Sequence, residues 1–255
     1  MKLKDFKYLQ GRRVISLVLV LTLSSTLFSV TAFTLQGFYN SFNGYLGIGE
    51  DIVAIYDRGS NTPFTGLVPK YLAEKISIID GVYISSPEIL VPCITEDISI
   101  FLRGILPDVF FELNRLTLVE GDMLEQSDVN SVMLGTNLAE RLGLNLGDGI
   151  LLHGVLKSKY VELKIKGIYV TDSGLDDEAL TLLHFGQWLS RTDDYNYVTL
   201  IRVKTDGSSE TLNKIFEKIA EEAQALPSNG DGSEGVDLVN VGMLYFLVFC
   251  IVQVL

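Results

Sequence analysis

An uncharged apolar stretch near the N-terminus limits most strongly what this chain can fold into. No charged residue occurs from Val14 through Gly49. Its most apolar part, Val14–Leu35, exceeds the roughly 20 residues that an α-helix needs to cross a bilayer. Because backbone polar groups in lipid must be satisfied within their own segment, this part should be helical. We therefore predict a transmembrane helix with an extracytoplasmic extension over residues 14–47.

The charge distribution around this helix predicts its orientation. Residues 1–13 carry five basic side chains and a single acidic one, Asp5, whereas the whole chain has a net charge of −12. Basic residues collect on the cytoplasmic side of membrane helices, so residues 1–13 form a cytoplasmic tail and the main domain is extracytoplasmic. A domain this acidic repels phosphate backbones, which argues against nucleic acid as a partner.

A cleaved signal peptide is the alternative interpretation of the N-terminal segment. The tripeptide Val30-Thr31-Ala32 resembles a small-residue cleavage site, and cleavage there would release a secreted protein, such as an enzyme. The apolar run is, however, longer than the roughly 7–15 residues of a signal-peptide core. It also continues without charge through Phe38 and Tyr39. These features favour a retained membrane span.

A second apolar segment lies at the C-terminal end of the sequence. No charged residue follows Asp237, and the eighteen residues after it are at the lower edge of the length of a spanning helix. We predict that residues 236–255 are the start of a second transmembrane helix, cut short at Leu255. The alternative is a buried helix of the folded domain, which would be expected to show a polar face.

Between the two apolar segments, residues 48–235 show the pattern of a mixed α+β domain. Tyr160–Val170 alternates apolar and polar residues as a half-buried strand does, and Ile150–His153 is expected to pair with it. An apolar stripe with charged residues on the other face predicts an amphipathic helix over residues 208–226. Other predicted elements are a helix over 67–79 with Pro69 in its first turn, and strands at Ile52–Tyr56, Val82–Ser85, Ile98–Arg103, Ser131–Leu134 and Tyr195–Val203.

The residue types that usually carry chemistry do not form a recognisable motif. The sequence contains no phosphate-binding GxxxxGK[ST] loop, so the chain should not hydrolyse ATP through such a loop. His153 falls in a predicted strand and His184 in a predicted helix, without metal-ligand spacing. Cys93 and Cys250 are expected to be buried apolar residues. The run 176–178 is interpreted as a solvated turn or helix start, since it lacks a calcium-loop pattern.

We therefore predict that the chain is not an enzyme. It is expected to need no cofactor and to contain no catalytic, cofactor-binding or metal-binding residues.

Several stretches of the chain resemble one family of membrane proteins. The segments that carry the resemblance are QGRRVISLVLVLTLSS, GYLGIGEDIVAIYDRGS and LTLVEGDMLEQSDVNSVMLGTNLAERLGLNLGDGILLHG. In the last segment the pattern is followed by Gly121, Gly135, Leu138, Gly143, Leu146, Gly147 and Asp148. The chain is similar to ABC transporter permeases of the MacB/LolC/FtsX family, over their first span and MacB-like periplasmic core domain. The matching residues are turn glycines and apolar positions, so they predict scaffold and not a site. Thr136 is expected to cap the short helix between Gly135 and Gly143.

The resemblance implies a function and a set of partners. Such a permease has four spans and pairs with a copy of itself or with a related permease, as a homodimer or heterodimer. It also binds a cytoplasmic ABC ATPase subunit, and its extracytoplasmic domain moves in response to ATP hydrolysis. The permease is expected to lie in a lipid bilayer and to contact an extracytoplasmic protein partner. The matching residues do not indicate which substrate it transports. The alternative is a membrane-anchored receptor or adhesion module that has no ATPase partner.

Overall fold

The computed structural model of the chain describes residues 11–46, 51–57, 66–190, 194–225 and 236–238. The chain divides into two compact units, Met1–Asn43 and Gly44–Leu255. The described residues of the first unit all belong to helix α1, which begins at Gly11 and ends at Leu46. Within α1, Val14–Gly37 is long and apolar enough to cross a membrane. The predicted N-terminal helix is thus present, and it ends within one residue of the expected position 47.

Four threonine hydroxyls inside α1 form hydrogen bonds with the backbone of the helix itself. The hydroxyl of Thr22 donates a hydrogen bond to the carbonyl oxygen of Val18 at 2.8 Å, four residues earlier. Thr26, Thr31 and Thr34 make the same bond to the carbonyl oxygens four residues before them. A hydroxyl that is bonded in this way can lie in hydrocarbon without the cost of an unmet hydrogen bond.

The second unit is a mixed α+β domain. Its helices are α2 (Tyr71–Ser77), α3 (Pro107–Leu113), α4 (Thr136–Leu142), α5 (Leu183–Leu189) and α6 (Ser209–Ala225). Its strands are β1 (Ile52–Asp57), β2 (Val68–Pro69), β3 (Val82–Thr95), β4 (Ile98–Ile105), β5 (Thr117–Gly121), β6 (Ser131–Gly135), β7 (Gly149–Gly154), β8 (Lys159–Val170), β9 (Glu178–Leu182), β10 (Tyr197–Val198), β11 (Leu200–Thr205) and β12 (Val236–Leu238). A 3-10 turn covers Gly174–Asp177. This composition confirms the α+β fold class expected from the sequence.

One half of the domain is a split βαβ arrangement, which we call the split-βαβ lobe. Four antiparallel strands lie in the order β12, β1, β11 and β3, where β3 contributes its residues 82–88. Helices α2 and α6 pack on one face of this sheet, with Ile76 and Ile215 buried against Ile55 and Ile201. The chain order β1-α2-β3 and then β11-α6-β12 gives a β-α-β-β-α-β motif. The other half of the domain is inserted between β3 and β11.

The inserted half is a closed barrel of six strands. Each strand pairs with the next in the ring β3, β4, β9, β6, β8 and β7, and β7 pairs back to β3. Closure removes the unpaired edges of an open sheet. The inward-facing side chains are apolar and fill the barrel, leaving a solid core; they include Val91, Cys93, Leu102, Val132, Leu134, Ile150, Leu152, Leu163, Ile165 and Ala179.

Strand β3 belongs to both halves. Its residues Ile84–Glu88 pair with β11 in the split-βαβ lobe, and its residues Ile89–Thr95 pair with β4 in the barrel. Because β3 continues from the lobe's sheet into the barrel, the barrel lies at the end of that sheet where Glu88 pairs with Leu200. Strand β12 is antiparallel to β1, with Asp57 opposite Val236 and Ile55 opposite Leu238, so it runs toward the end of the sheet at which β1 begins. The chain therefore enters β1 at the end of the lobe opposite the barrel, and the described part of β12 runs toward that same end.

Most predicted elements are present, with three corrections. The hairpin of β7 and β8 is confirmed, and the amphipathic helix is observed as α6. Pro69 does not open α2 but lies in β2, which pairs with β10. Thr136 is not a cap, because Gly135 occupies the N-cap position and Thr136 already has helical backbone; Gly143 ends the helix with a left-handed backbone at φ 65°.

The third correction concerns residues 236–238, assigned from the sequence to the start of the second transmembrane helix. They form β12, since alternating Val236 and Leu238 allow pairing with β1. Residues 226–235 and 239–255 lie outside the described residues, so the second span stays a prediction.

Candidate functional site

Four charged side chains are buried side by side across the junction of the two halves. They are Arg202 on β11, Glu88 on β3, Arg103 on β4 and Glu178 on β9, and each is at most 1% exposed. The strand register explains why they share one face. Glu88 is opposite Leu200, Leu90 is opposite Arg103, and Phe101 is opposite Glu178. Each charged residue thus lies two positions from the partner of its neighbour, on the same side of the sheet.

The four groups form a continuous chain of alternating charges, which we call the charge ladder. Arg202 donates from Nε to Oε1 of Glu88 at 2.7 Å. Arg103 donates from Nη1 to the other oxygen of Glu88, and from Nε and Nη2 to Glu178 at 2.6 and 3.0 Å. The contact between Arg103 and Glu178 is the bidentate geometry that makes guanidinium–carboxylate pairs specific in direction. Two positive and two negative groups leave the ladder neutral.

Helix α3 and the end of β8 cover the ladder. The ring of Phe110 lies 5.3 Å from the guanidinium carbon of Arg202, and Nη1 of Arg202 donates to Oδ1 of Asn114 at 3.0 Å. The hydroxyl of Tyr169 lies 2.7 Å from the carbonyl oxygen of Leu175 and 3.1 Å from that of Glu178. A second apolar cluster formed around Phe110 and Tyr169 seals this side of the barrel.

Electrostatics within the ladder favour the charged forms. Burial raises the pKa of Glu88, but the guanidinium groups of Arg202 and Arg103 outweigh burial and hold that pKa below its ordinary value. Buried ion pairs of this kind add little net stability compared with apolar side chains, because desolvation offsets the attraction. Their effect is directional: the ladder fixes the angle and register between β11, β3, β4 and β9. It therefore joins the split-βαβ lobe to the barrel at a single relative position.

Comparison with known proteins agrees with this architecture. The family model of the MacB-like periplasmic core domain matches residues 14–219, which include most of α1 and most of the folded domain. The chain belongs to this family. The family's members are permease components of ABC transporters rather than enzymes. A search of curated proteins gives no match.

Solved structures of two transporter domains share the fold. One is the extracellular domain of the noncanonic ABC-type transporter YknZ from Gram-positive bacteria, with a TM-score of 0.50 and 16% identity. That match covers 74% of this chain and 100% of the YknZ domain. The other is the periplasmic region of MacB from Actinobacillus actinomycetemcomitans, with a TM-score of 0.53, 16% identity, and coverage of 79% of this chain and 94% of that one. At this identity the matches establish the fold.

Residues that the sequence singled out for chemistry lie apart in this MacB-like domain. His153 is in β7, where its ring stacks on Tyr160 with centroids 4.3 Å apart, and His184 is in α5. Burial lowers the pKa of His184 and raises that of Cys93 to about 12, so the thiol stays protonated inside the barrel. Among the described residues, no three His, Cys, Asp or Glu side chains are placed to hold a metal. Cys250 lies outside the described residues.

Sequence reasoning missed the charge ladder, and one interpretation was wrong in part. The sequence predicts a solvated turn or helix start over 176–178, and Asp176 and Asp177 do lie in the 3-10 turn, but Asp176 and Glu178 are buried and Glu178 begins β9. Asp176 accepts hydrogen bonds from the backbone and hydroxyl of Thr171 at 2.6 and 2.7 Å. The signal that could have revealed the ladder is a charge inside an otherwise apolar strand, as with Arg103 between Leu102 and Gly104, and Arg202 between Ile201 and Val203.

Proposed function

We propose that this chain is the N-terminal portion of a permease subunit in an ABC-type transport or mechanotransmission complex. Its N-terminus lies in the cytoplasm, α1 spans the membrane, and the α+β domain is extracytoplasmic. A separate cytoplasmic ATPase subunit drives movement of the outer domain, which exports or extracts a substrate. The permease acts as a homodimer or as a heterodimer with a related subunit. Family membership supports the permease role, and the basic residues 1–13 support the orientation.

One geometrical observation carries the proposal. Strand β1 begins at the end of the split-βαβ lobe opposite the barrel, and its neighbour β12 runs toward that same end. A displacement of the two apolar segments would thus act on the lobe at a single place. The charge ladder and the continuous strand β3 would carry that displacement into the barrel without a change of register. This arrangement suits transmission of movement better than it suits the binding of a small substrate.

A copurification experiment tests the proposed ATPase coupling. The full chain is tagged, extracted from its native membranes in mild detergent, and its bound proteins are identified by mass spectrometry. We expect a P-loop ATPase and a second permease copy or a related permease. Recovery of the folded chain with no bound ATPase would favour the receptor or adhesion alternative.

Movement is measured on the same complex with spin labels. One label is attached through Glu140→Cys on α4, and its mobility and distance to the label on the second copy are recorded with and without ATP. Because movement should depend on hydrolysis, we expect ATP to change the distance and a nonhydrolysable analogue to give a different value. An identical distance in all nucleotide states would contradict the proposal, whichever ATPase is bound.

A further inference from the structure

A groove lies along the part of β3 that belongs to the split-βαβ lobe. It has a volume of about 360 Å³, within the roughly 300–1,000 Å³ typical of binding pockets. Helix α2 forms one wall through Glu74, helix α3 forms the other through Val109 and Glu112, and Ser85 and Pro87 of β3 line it between them. We call this feature the β3 groove.

The β3 groove runs along a sheet edge that no described strand occupies. The backbone carbonyl oxygen of Glu88 accepts a hydrogen bond from the backbone N–H of Thr199 at 3.1 Å. Thr199 directly precedes β11, so the carbonyl group of Glu88 faces that strand. Backbone groups alternate between the two sides of a strand, so those of Ser86 also face β11, whereas those of Ser85 and Pro87 face the groove. Proline is tolerated at this position because its missing N–H would point away from the ladder of hydrogen bonds. An added strand could accept from Ser85 N–H and donate to its carbonyl oxygen.

The side chain of Ser85 provides a second, independent observation. It is 9% exposed and lines the β3 groove. Within the part of the chain that the structure describes, its hydroxyl has no hydrogen-bond partner. A buried hydroxyl without a partner costs free energy, and a bound polar group would remove that cost. The groove thus contains a polar contact that is unmet in the described residues.

Charge indicates which kind of segment the groove would accept. Glu74 and Glu112 are exposed on opposite walls, and neither forms an ion pair within the described ranges. Of the described residues that line the groove, Lys70 is the one cation, and the whole chain carries a net charge of −12. Consecutive side chains of a strand point to opposite faces, so two adjacent basic residues would place one cation near each glutamate.

We propose that the β3 groove binds an extended, basic segment of a partner protein, which pairs with the free edge of β3. The backbone of this segment adds a strand to the lobe, and its basic side chains lie against Glu74 and Glu112. This inference goes beyond the proposed permease function, because the binding needs no nucleotide and no ATPase. Failure of the ATPase experiments would leave it standing, and its own failure would leave the permease role intact.

Peptide binding to the full chain in detergent tests the proposal. The probe is a fluorescently labelled, end-blocked peptide of sequence TVTKRTVT, and its acidic counterpart is TVTEDTVT; binding is followed by fluorescence anisotropy. We expect the basic peptide to bind and the double variant Glu74→Lys/Glu112→Lys to weaken it about tenfold, as two attractions become repulsions. The same variant should gain binding of the acidic peptide. The matched control is Glu140→Lys, an exposed carboxylate on α4, which should leave both affinities unchanged.

Several outcomes would overturn the proposal. No binding of the basic peptide to the parent chain would remove its occupant. Equal weakening by Glu140→Lys would show attraction to an acidic surface in general. Ser85→Ala removes the hydroxyl without disturbing the fold, and it should weaken binding about fivefold; an unchanged affinity would contradict the assigned contact.

The remaining rival occupant is a second copy of this chain. If two copies paired edge to edge at β3, Tyr83→Cys would form disulfide-linked dimers that the parent chain does not form. Such dimers, together with no peptide binding, would replace the proposed partner. Their absence, together with charge-dependent peptide binding, would support it.

Discussion

The six-stranded barrel and the split-βαβ lobe differ in how their sheets end. In the barrel each strand pairs on both sides, so no edge is left open and the apolar interior is enclosed. In the lobe, the residues 82–88 of β3 pair with β11 on one side and border a groove on the other. The closed half is suited to keep its shape, whereas the open half is suited to receive a partner and is connected to the two apolar segments. The charge ladder lies where the two halves meet.

The largest expected effect comes from breaking the charge ladder. Arg103→Met should remove the guanidinium group that pairs with buried Glu178 and one of the two that pair with buried Glu88, and breaking a buried pair typically destabilises a protein by about 3–5 kcal/mol. Urea unfolding of the full chain in detergent, followed by fluorescence of Trp188, measures the change. As a control, Arg141→Met removes an exposed pair with Asp177 and should cost less than about 1 kcal/mol. Equal small effects at both positions would show that the ladder does not hold the halves together.

A cavity in the barrel should have the next largest effect. Leu152 is fully buried in the barrel, so Leu152→Ala should destabilise the domain by about 2–5 kcal/mol. If the ladder joins both halves, they should unfold together. Trp188 fluorescence and far-ultraviolet circular dichroism would then give the same midpoint. Two separate midpoints would mean that the barrel and the lobe are independent.

Close packing of α5 against the barrel predicts a smaller effect. A Cβ atom at Gly186 would lie 2.4 Å from Cγ2 of Ile89 and 3.0 Å from Cα of Gly104. Gly186→Ala should therefore cost about 1–3 kcal/mol through overpacking. Gly149→Ala is the control, since its nearest contact would be 3.6 Å from Oε1 of Glu162. If thermal unfolding of both variants changes equally, the contact at Gly186 is less tight than described.

The smallest expected effect is a dependence of stability on acid. Because the folded state holds the pKa of Glu88 below its ordinary value of 4.5, its ionisation stabilises the fold above that value. The contribution is lost as the pH falls through the lower folded pKa. The stability difference between the parent chain and Glu88→Gln should thus be largest near neutral pH and decrease below about pH 4. A difference that grows on acidification would contradict the charged state assigned to the ladder.

Sequence patterns predicted the elements whose signals are local. The N-terminal helix, the β7–β8 hairpin, the amphipathic α6 and the glycine turn at Gly143 each follow from periodicity or from one residue type. The charge ladder could not be predicted in this way. Glu88 and Arg202 are 114 positions apart, and their contact depends on how β3, β4, β9 and β11 are ordered. Barrel closure by β7 and β3 rests on the same kind of distant pairing.

Reagent accessibility tests most directly the central claim that α1 spans the membrane and holds the domain outside. Glu140→Cys is introduced into a Cys250→Ser background, and protoplasts are treated with a membrane-impermeant maleimide. Cys93 should not interfere, because it is buried and its pKa is raised to about 12. We expect labelling at position 140 in intact protoplasts, whereas Lys4→Cys in the same background should be labelled only after permeabilisation. Labelling at position 140 only after permeabilisation would contradict the account.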